Sequence, residues 1–249
     1  MGEHSSSEFF HGADWLDLNM FQSGHGTLNN QSYKLVIKDY NTNPVKPVLN
    51  GEPCYEDHPI GWNPKNGWFD DFDSRRDGYW CMLSGACGHT YGNHNIWQML
   101  QKGYDPVSSA RTPWNQALDY PGAFQAGYMK RLFESRPWQL LKPNQSIILK
   151  GPNEAGREII AASASDSTFL MAYTPFGSNF SLSLTLIKGD SIKAWWFNPR
   201  NSTSIFINQM DKNSDMEFDP PFDEKRGNDW VLIIDKANSG YPDIPEMSK

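Results

Sequence analysis

Three short stretches of the chain each end in a knot of polar and aromatic side chains that could act on a bound molecule. They are Gln22-Ser23-Gly24-His25, Gly51-Glu52-Pro53-Cys54-Tyr55-Glu56 and Gly88-His89-Thr90-Tyr91-Gly92-Asn93-His94. Four of the six histidines (His25, His58, His89 and His94) lie in or beside them. Glu52 follows the apolar run Pro47-Val48-Leu49 and stands between Gly51 and Pro53, which fix a turn. A buried strand that stops at a carboxylate is how parallel α/β barrels place a catalytic acid at their carboxyl face. Taken singly, Glu52 and Glu56 also read as solvated loop carboxylates. Their grouping with neutral His, Tyr and Trp favours acid/base work on a sugar, which uses two carboxylates about 5–9.5 Å apart.

Two other chemistries fit less well. His89 and His94 are five apart around Gly92, not on one helical face as in HExxH, so no metal site is expected. Ser23 lies in Gln-Ser-Gly-His and no GxSxG elbow occurs. Cys54 beside Glu52 reads as a small packing residue. No cofactor motif stands out, and none is expected.

The elements that must position these residues alternate. Trp15 to Phe21 reads as a strand. Gln31 to Tyr40 follows as an amphipathic helix, with Tyr33, Val36, Ile37 and Tyr40 at i, i+3, i+4 and i+7. The strand at Pro47 to Leu49 comes next, then a Gly/Pro/Asn-rich loop from Gly61 to Phe72. Asp73 or Ser74 is expected to cap a helix reaching Leu83, with Tyr79, Met82 and Leu83 on its buried side. Ala86 to Tyr91 reads as a third strand. This is the βα order of a parallel sheet with a site at one end. A helix is expected from about Gly122 to Ser135, packed through Phe124, Tyr128 and Leu132.

The pattern changes after Pro143. Eight short strands are expected: Ile147–Lys150, Glu158–Ser163, Thr168–Tyr173, Phe180–Leu186, Ser191–Phe197, Ser204–Ile207, Met216–Phe218 and Asp229–Ile234. Turn residues separate them, so this half reads as an antiparallel β-sandwich. Two domains follow, residues 1–142 and 143–249.

The totals narrow the partners. A net charge of −7 without a basic stripe speaks against nucleic acid. Aromatic residues make up 14% of the chain, with 10 Trp and 10 Tyr, and charged residues only 20%. Flat rings in a polar chain suit carbohydrate, and equally fill cores. No apolar run reaches the ~20 residues of a membrane span. The polar start Met1-Gly2-Glu3-His4-Ser5 shows no signal peptide. Three cysteines, Cys54, Cys81 and Cys87, argue against a full disulfide framework.

WLDLNMFQSGH, KPVLNGEPCYED, SRRDGYW and GACGHTYGNHNIWQM resemble the apiosidase-like glycoside hydrolases, which carry a (β/α)8 catalytic barrel. SIKAWWFNPRNS and FDPPFDEKRGNDWVLIID resemble the collagen-binding-type β-sandwich that often follows it. The implied fold is the C-terminal part of a TIM barrel followed by the sandwich. The implied activity is hydrolysis of O-glycosidic bonds in a complex polysaccharide, in a secreted or periplasmic protein. A non-catalytic carbohydrate- or protein-binding module is the alternative.

By that resemblance Glu52, after the seventh barrel strand, is the catalytic carboxylate. Its partner in the family is an Asp of a Gly-Gly-Asp motif, which this sequence lacks. The family order starts this chain near the end of strand five, so the first barrel half and the partner acid are expected to lie outside it. His25, Tyr55, Glu56, His89, Tyr91, His94 and Trp97 form the expected substrate-binding set. His25, His89 and Tyr91 either face the sugar or support Glu52 from behind. Glu56 is expected to brace the site through Arg75 or Arg76. Trp97 walls the pocket or packs its short helix. Trp62 and Trp68 are candidate exposed platforms, and Trp195 and Trp196 are expected to alternate between sandwich core and surface.

Overall fold

Two polar-ended strands begin the architecture. In the computed structural model, which describes residues 4–152 and 154–244, short helix α1 (Ser7–Phe10) precedes β1 (Asn19–Gln22). Helix α2 (Ser32–Tyr40) then leads to β2 (Val48–Glu52), which pairs with β1 in parallel. Asn19 stands opposite Val48 and Gln22 opposite Glu52, with an irregularity between Phe21 and Gln22, so both strands finish at one level. The strand expected from Trp15 shrinks to Asn19–Gln22, and Trp15 is exposed against the Phe10 ring.

The third expected strand is a position more than a strand. Cys87 N–H donates to the Val48 carbonyl at 2.8 Å, and isolated parallel bridges join Asn50 to His89 and Glu56 to Asn93. Gly88 and Gly92 interrupt the run, and glycine weakens a strand interior. Phe21, Val36, Val48, Cys81 and Ala86 pack as the core of this layer.

Helix α3 (Asp71–Leu83) starts earlier than expected. Its cap is Asp70, whose carboxylate accepts from Asp73 N–H while Asp73 accepts from Asp70 N–H. This reciprocal box satisfies two end donors at once, which Asp73 or Ser74 as cap could not do. The helix is also buried nearly all round, with Asp73, Arg75, Arg76 and Asp77 inside as well as Tyr79, Trp80 and Leu83. Helices α4 (His94–Trp97), α5 (Trp114–Ala117) and α6 (Pro121–Glu134) follow. On α6 the expected Leu132 is buried, together with Gln125, Met129 and Phe133, while Phe124 is exposed.

The chain divides into two compact units, one ending at Gly127 and one beginning at Tyr128. The second is sheet-rich. Among the described residues its strands are β3 (Leu141–Pro143), β4 (Ile148–Lys150), β5 (Ile160–Ala164), β6 (Phe169–Thr174), β7 (Phe180–Ser183), β8 (Ser191–Phe197), β9 (Ser204–Asp211), β10 (Asp215–Phe218) and β11 (Trp230–Lys236). They form an antiparallel six-stranded sheet, β3-β5-β6-β11-β8-β9, and a three-stranded one, β10-β7-β4. Leu170, Leu182, Ala194, Trp196, Trp230 and Leu232 belong to one core cluster drawn from both sheets. Strand β3 was not anticipated because Pro143 reads as a breaker. It lies at a sheet edge, where a missing N–H is tolerated. Trp195 and Trp196 do alternate between faces, yet both are buried. Trp196 enters the core cluster, and Trp195 packs with Phe206 and the Arg136 guanidinium.

Candidate active site

The polar layer beneath the strand ends fixes their geometry. Asn50, fully buried on β2, donates to Ser23 Oγ at 2.8 Å and to Asp77 Oδ2 at 2.9 Å, and accepts from Ser23 N–H. Ser32 at the start of α2 also donates to Asp77. One buried carboxylate of α3 therefore ties α2, β2 and the end of β1 together. Burial pushes the Asp77 carboxyl up to about 6, against the donors that favour its ionised form.

Glu52 stands above this layer at the end of β2, its side chain 32% exposed. Its register partner Gln22 donates Nε2–H to Oε2 at 2.7 Å, and Gly24 N–H donates to its carbonyl at 3.0 Å. His25 Nδ1 lies 3.9 Å from Oε1. His25 is buried, and burial first, then His58 and His94, lowers its pKa to about 3. The imidazole beside Glu52 is thus neutral at ordinary pH, so it contacts the carboxylate without forming an ion pair. Tyr55 meets the His25 ring edge-on at 4.6 Å, and burial and the Glu52 charge raise its hydroxyl pKa.

The rings continue as a column. His25 and His58 are 4.0 Å apart, His58 and His94 4.4 Å, and Trp97 lies nearly parallel to His94 at 6.1 Å. Trp62 stands edge-on to both His25 and His58. His58 belongs to the histidine cluster beside the strand ends. It is the central ring, held by Nδ1 to the Pro59 carbonyl at 2.8 Å.

Glu56 occupies a different, enclosed place. Tyr91 Oη–H donates to it at 2.5 Å and Gly122 N–H, near the start of α6, at 3.1 Å. A Cβ at Gly122 would lie 2.5 Å from Glu56 Oε2, so this close approach needs glycine. Burial pushes the Glu56 carboxyl up to about 7, and burial and Glu56 raise Tyr91. Arginines of α3 are engaged nearby. Arg75 bonds Asp71 and Gln125, and Arg76 bonds Asp73, Asn29 and the Leu28 carbonyl.

His89 is bridged in parallel to Asn50. Its ring packs against Gly78 of α3, and burial lowers its pKa to about 4. A second buried brace was not foreseen. Asp57 accepts from Arg111 and from Asn95 Nδ2 at 2.9 Å, and the Arg111 guanidinium lies 4.0 Å over the Trp68 ring. Trp68 is thereby a support for Arg111 instead of an exposed platform. The signal available for Gln22 was its register: two parallel strands ending together put Gln22 opposite Glu52.

Among the described residues no group of three or more His, Cys, Asp or Glu could hold a metal ion. Cys54, Cys81 and Cys87 are all free, the first two buried. No described helix is long and apolar enough to cross a membrane.

Glu52, Gln22 and His25 thus meet at the carboxyl end of a parallel strand pair, the end at which open α/β sheets bind ligands. Residues 1–139 match the family model of the apiosidase-like catalytic domain, and the chain belongs to that family. Residues 142–235 match the model described as "Putative collagen-binding domain of a collagenase". A solved structure described as a glycoside hydrolase is 31% identical with a TM-score of 0.91, over 96% of this chain and 57% of that one. A glycoside hydrolase family 5 structure from Bacteroides vulgatus ATCC 8482 is 30% identical with a TM-score of 0.92, over 97% of this chain and 55% of that one. The chain thus spans a little over half the length of these two solved chains. No curated protein matches.

Proposed function

We propose that this chain carries the Glu52 side of a glycoside hydrolase active site, built on the C-terminal part of a (β/α)8 barrel (residues 1–142) and followed by a β-sandwich (residues 143–249). The observation that carries the reading is Glu52 at the carboxyl end of β2, partly exposed, with Gln22 on one oxygen and His25 facing the other. Glu52 serves as one of the two carboxylates. It acts as base or nucleophile on a bond that breaks through an oxocarbenium-like state. Gln22 holds its rotamer, and neutral His25 and Tyr55 line its approach. His94 and Trp97 extend the substrate surface. Glu56, Tyr91 and His89 shape the site from behind, with the Glu56–Tyr91–Gly122 knot fixing the α6 end.

The substrate is a carbohydrate, and the net charge of −7 speaks against nucleic acid. A secreted or periplasmic location goes with this reading. The test is turnover of plant polysaccharides by the full-length protein and its Glu52→Gln variant. The variant should lose at least about 100-fold in kcat, the lower range for a positioned acid or base, with an unchanged circular dichroism spectrum. Wild-type turnover by the variant removes Glu52 from the mechanism.

A further inference from the structure

Two of the three stacked histidines have the place of their proton fixed by a carbonyl. His58 Nδ1 lies 2.8 Å from the Pro59 carbonyl, and His94 Nε2 lies 3.1 Å from both the Val107 and Ser108 carbonyls. A carbonyl only accepts, so the nitrogen facing it carries the hydrogen. His25 has no such partner. Its Nε2 is buried and finds no hydrogen-bond partner among the described residues, while its Nδ1 faces Glu52 Oε1 from 3.9 Å. Burial, then His58 and His94, lower its pKa to about 3, so the ring carries a single proton at neutral pH.

Two arguments place that proton on Nδ1. On Nε2 it would be a buried donor without an acceptor, which proteins rarely leave. It would also turn the bare Nδ1 lone pair toward a carboxylate and set two acceptors against each other. On Nδ1 the hydrogen points at Oε1, and Nε2 has nothing to donate. Ring packing is what keeps Nε2 dry. Tyr55, His58, Trp62 and Phe69 enclose His25, with centroids 4.6, 4.0, 5.9 and 6.5 Å away. Tyr55, Trp62 and Phe69 stand edge-on, whereas His58 is nearest and tilted only 36° from the His25 ring. His58 is itself buried, with His94 at 4.4 Å on its far side.

We propose that His58 is a positioning residue for Glu52: by keeping water from His25 Nε2 it holds the His25 proton on Nδ1, directed at the carboxylate. Glu52 thereby faces a donor that carries no charge of its own, while Gln22 makes the fixed contact on the other oxygen. The role rests on the proposed catalytic assignment of Glu52. Its test reads the imidazole proton directly and so stands apart from turnover.

The experiment is two-bond proton–nitrogen correlation spectroscopy at neutral pH on the 249-residue chain labelled with nitrogen-15 histidine, with His25 assigned from His25→Gln. The wild type should show His25 as the Nδ1–H tautomer, favoured at least about fivefold, the lower bound for avoiding a buried unpaired donor. His58→Ala opens space beside the ring, water reaches Nε2, and the signals should move toward an average of the two tautomers. His58→Asn keeps a donor for the Pro59 carbonyl but not the ring, and should behave as His58→Ala does. His58→Phe keeps a dry ring and should restore the wild-type pattern. The wild-type spectrum decides the tautomer whether or not a variant folds. A proton on Nε2 in the wild type overturns the proposal. So does the wild-type pattern in a folded His58→Ala or His58→Asn, or averaged tautomers in His58→Phe. In the full-length protein His58→Ala should lower kcat at least about fivefold with little change in KM, in step with the tautomer ratio, and an unchanged kcat overturns the positioning role. The expected tautomers together with wild-type turnover by Glu52→Gln would keep the His58–His25 lock and discard the catalytic assignment.

Discussion

Gln22 Nε2 donates to Glu52 Oε2 at 2.7 Å across a register pair of two parallel strands. The amide restricts the carboxylate to one rotamer while leaving Oε1 toward His25. A hydrogen bond to a charged group is worth about 1.5–3 kcal/mol, and partial exposure lowers that. Gln22→Ala in the full-length protein should therefore reduce kcat about tenfold with little change in KM. Gln22→Glu should cost more, because it sets a second carboxylate against the first. Steady-state kinetics of the two variants check this, and unaltered kcat in Gln22→Ala would mean that the rotamer is held by packing alone.

Glu56 gives the chain a pH-dependent stability of definite sign. Its folded pKa is raised from 4.5 to about 7 by burial. Protonation is therefore favoured in the folded state. The stabilisation is complete below about pH 4.5 and fades as pH rises through about 7. Glu56→Gln keeps an acceptor for Tyr91 and Gly122 without the charge. The variant should match wild type at pH 4 and exceed it at pH 8 by an amount on the order of 2 kcal/mol. Urea midpoints at the two pH values check it. Gly122→Ala should destabilise at both, since its Cβ would lie 2.5 Å from the carboxylate.

Much of this architecture was legible because it depends on local pattern. Helix α2 came from the spacing of Tyr33, Val36, Ile37 and Tyr40, and β8 from its flanking turns and β-rich composition. Glu52 was legible because an apolar run, a Gly and a Pro fix where a strand stops. The partners of each polar group were not legible. Nothing local says that Glu56 takes Tyr91 and Gly122, 35 and 66 residues away. Helix α3 also misled, because an apolar stripe was sought where charged residues are buried in bonded pairs. Buried polar pairing is decided by tertiary contact, which periodicity does not encode.

Asp57 and Arg111 hold the irregular segment after α4. Asp57 is buried, while Arg111 is half exposed and covers Trp68. Arg111→Ala leaves Asp57 with Asn95 and Tyr120 as donors, so the charge is not wholly stranded. The loss should be about 1–2 kcal/mol, below the about 3–5 kcal/mol for breaking a fully buried pair. Thermal unfolding of the chain measures it. Asp57→Ala should cost at least as much, because Arg111, Asn95 and Tyr120 all lose their shared acceptor.

The sandwich holds the opposite case. Arg136 and Asp235 are both almost fully buried, and the guanidinium meets the carboxylate through Nε at 3.0 and 3.1 Å and through a terminal nitrogen at 2.7 Å. Trp195 and Tyr241 lie within cation–π range of the same guanidinium. Burial raises the Asp235 carboxyl although Arg136 opposes it. Desolvation therefore outweighs the pairing at this carboxylate, and the pair adds specificity more than net stability. Removing one partner strands the other charge. Arg136→Met and Asp235→Leu should each cost about 3–5 kcal/mol. The double variant, which leaves no charge in the site, should recover most of that loss and come within about 1–2 kcal/mol of wild type. Denaturation of the four proteins closes the cycle. If the two single losses simply add in the double variant, the two charges are not coupled, and packing around Trp195 needs the guanidinium itself.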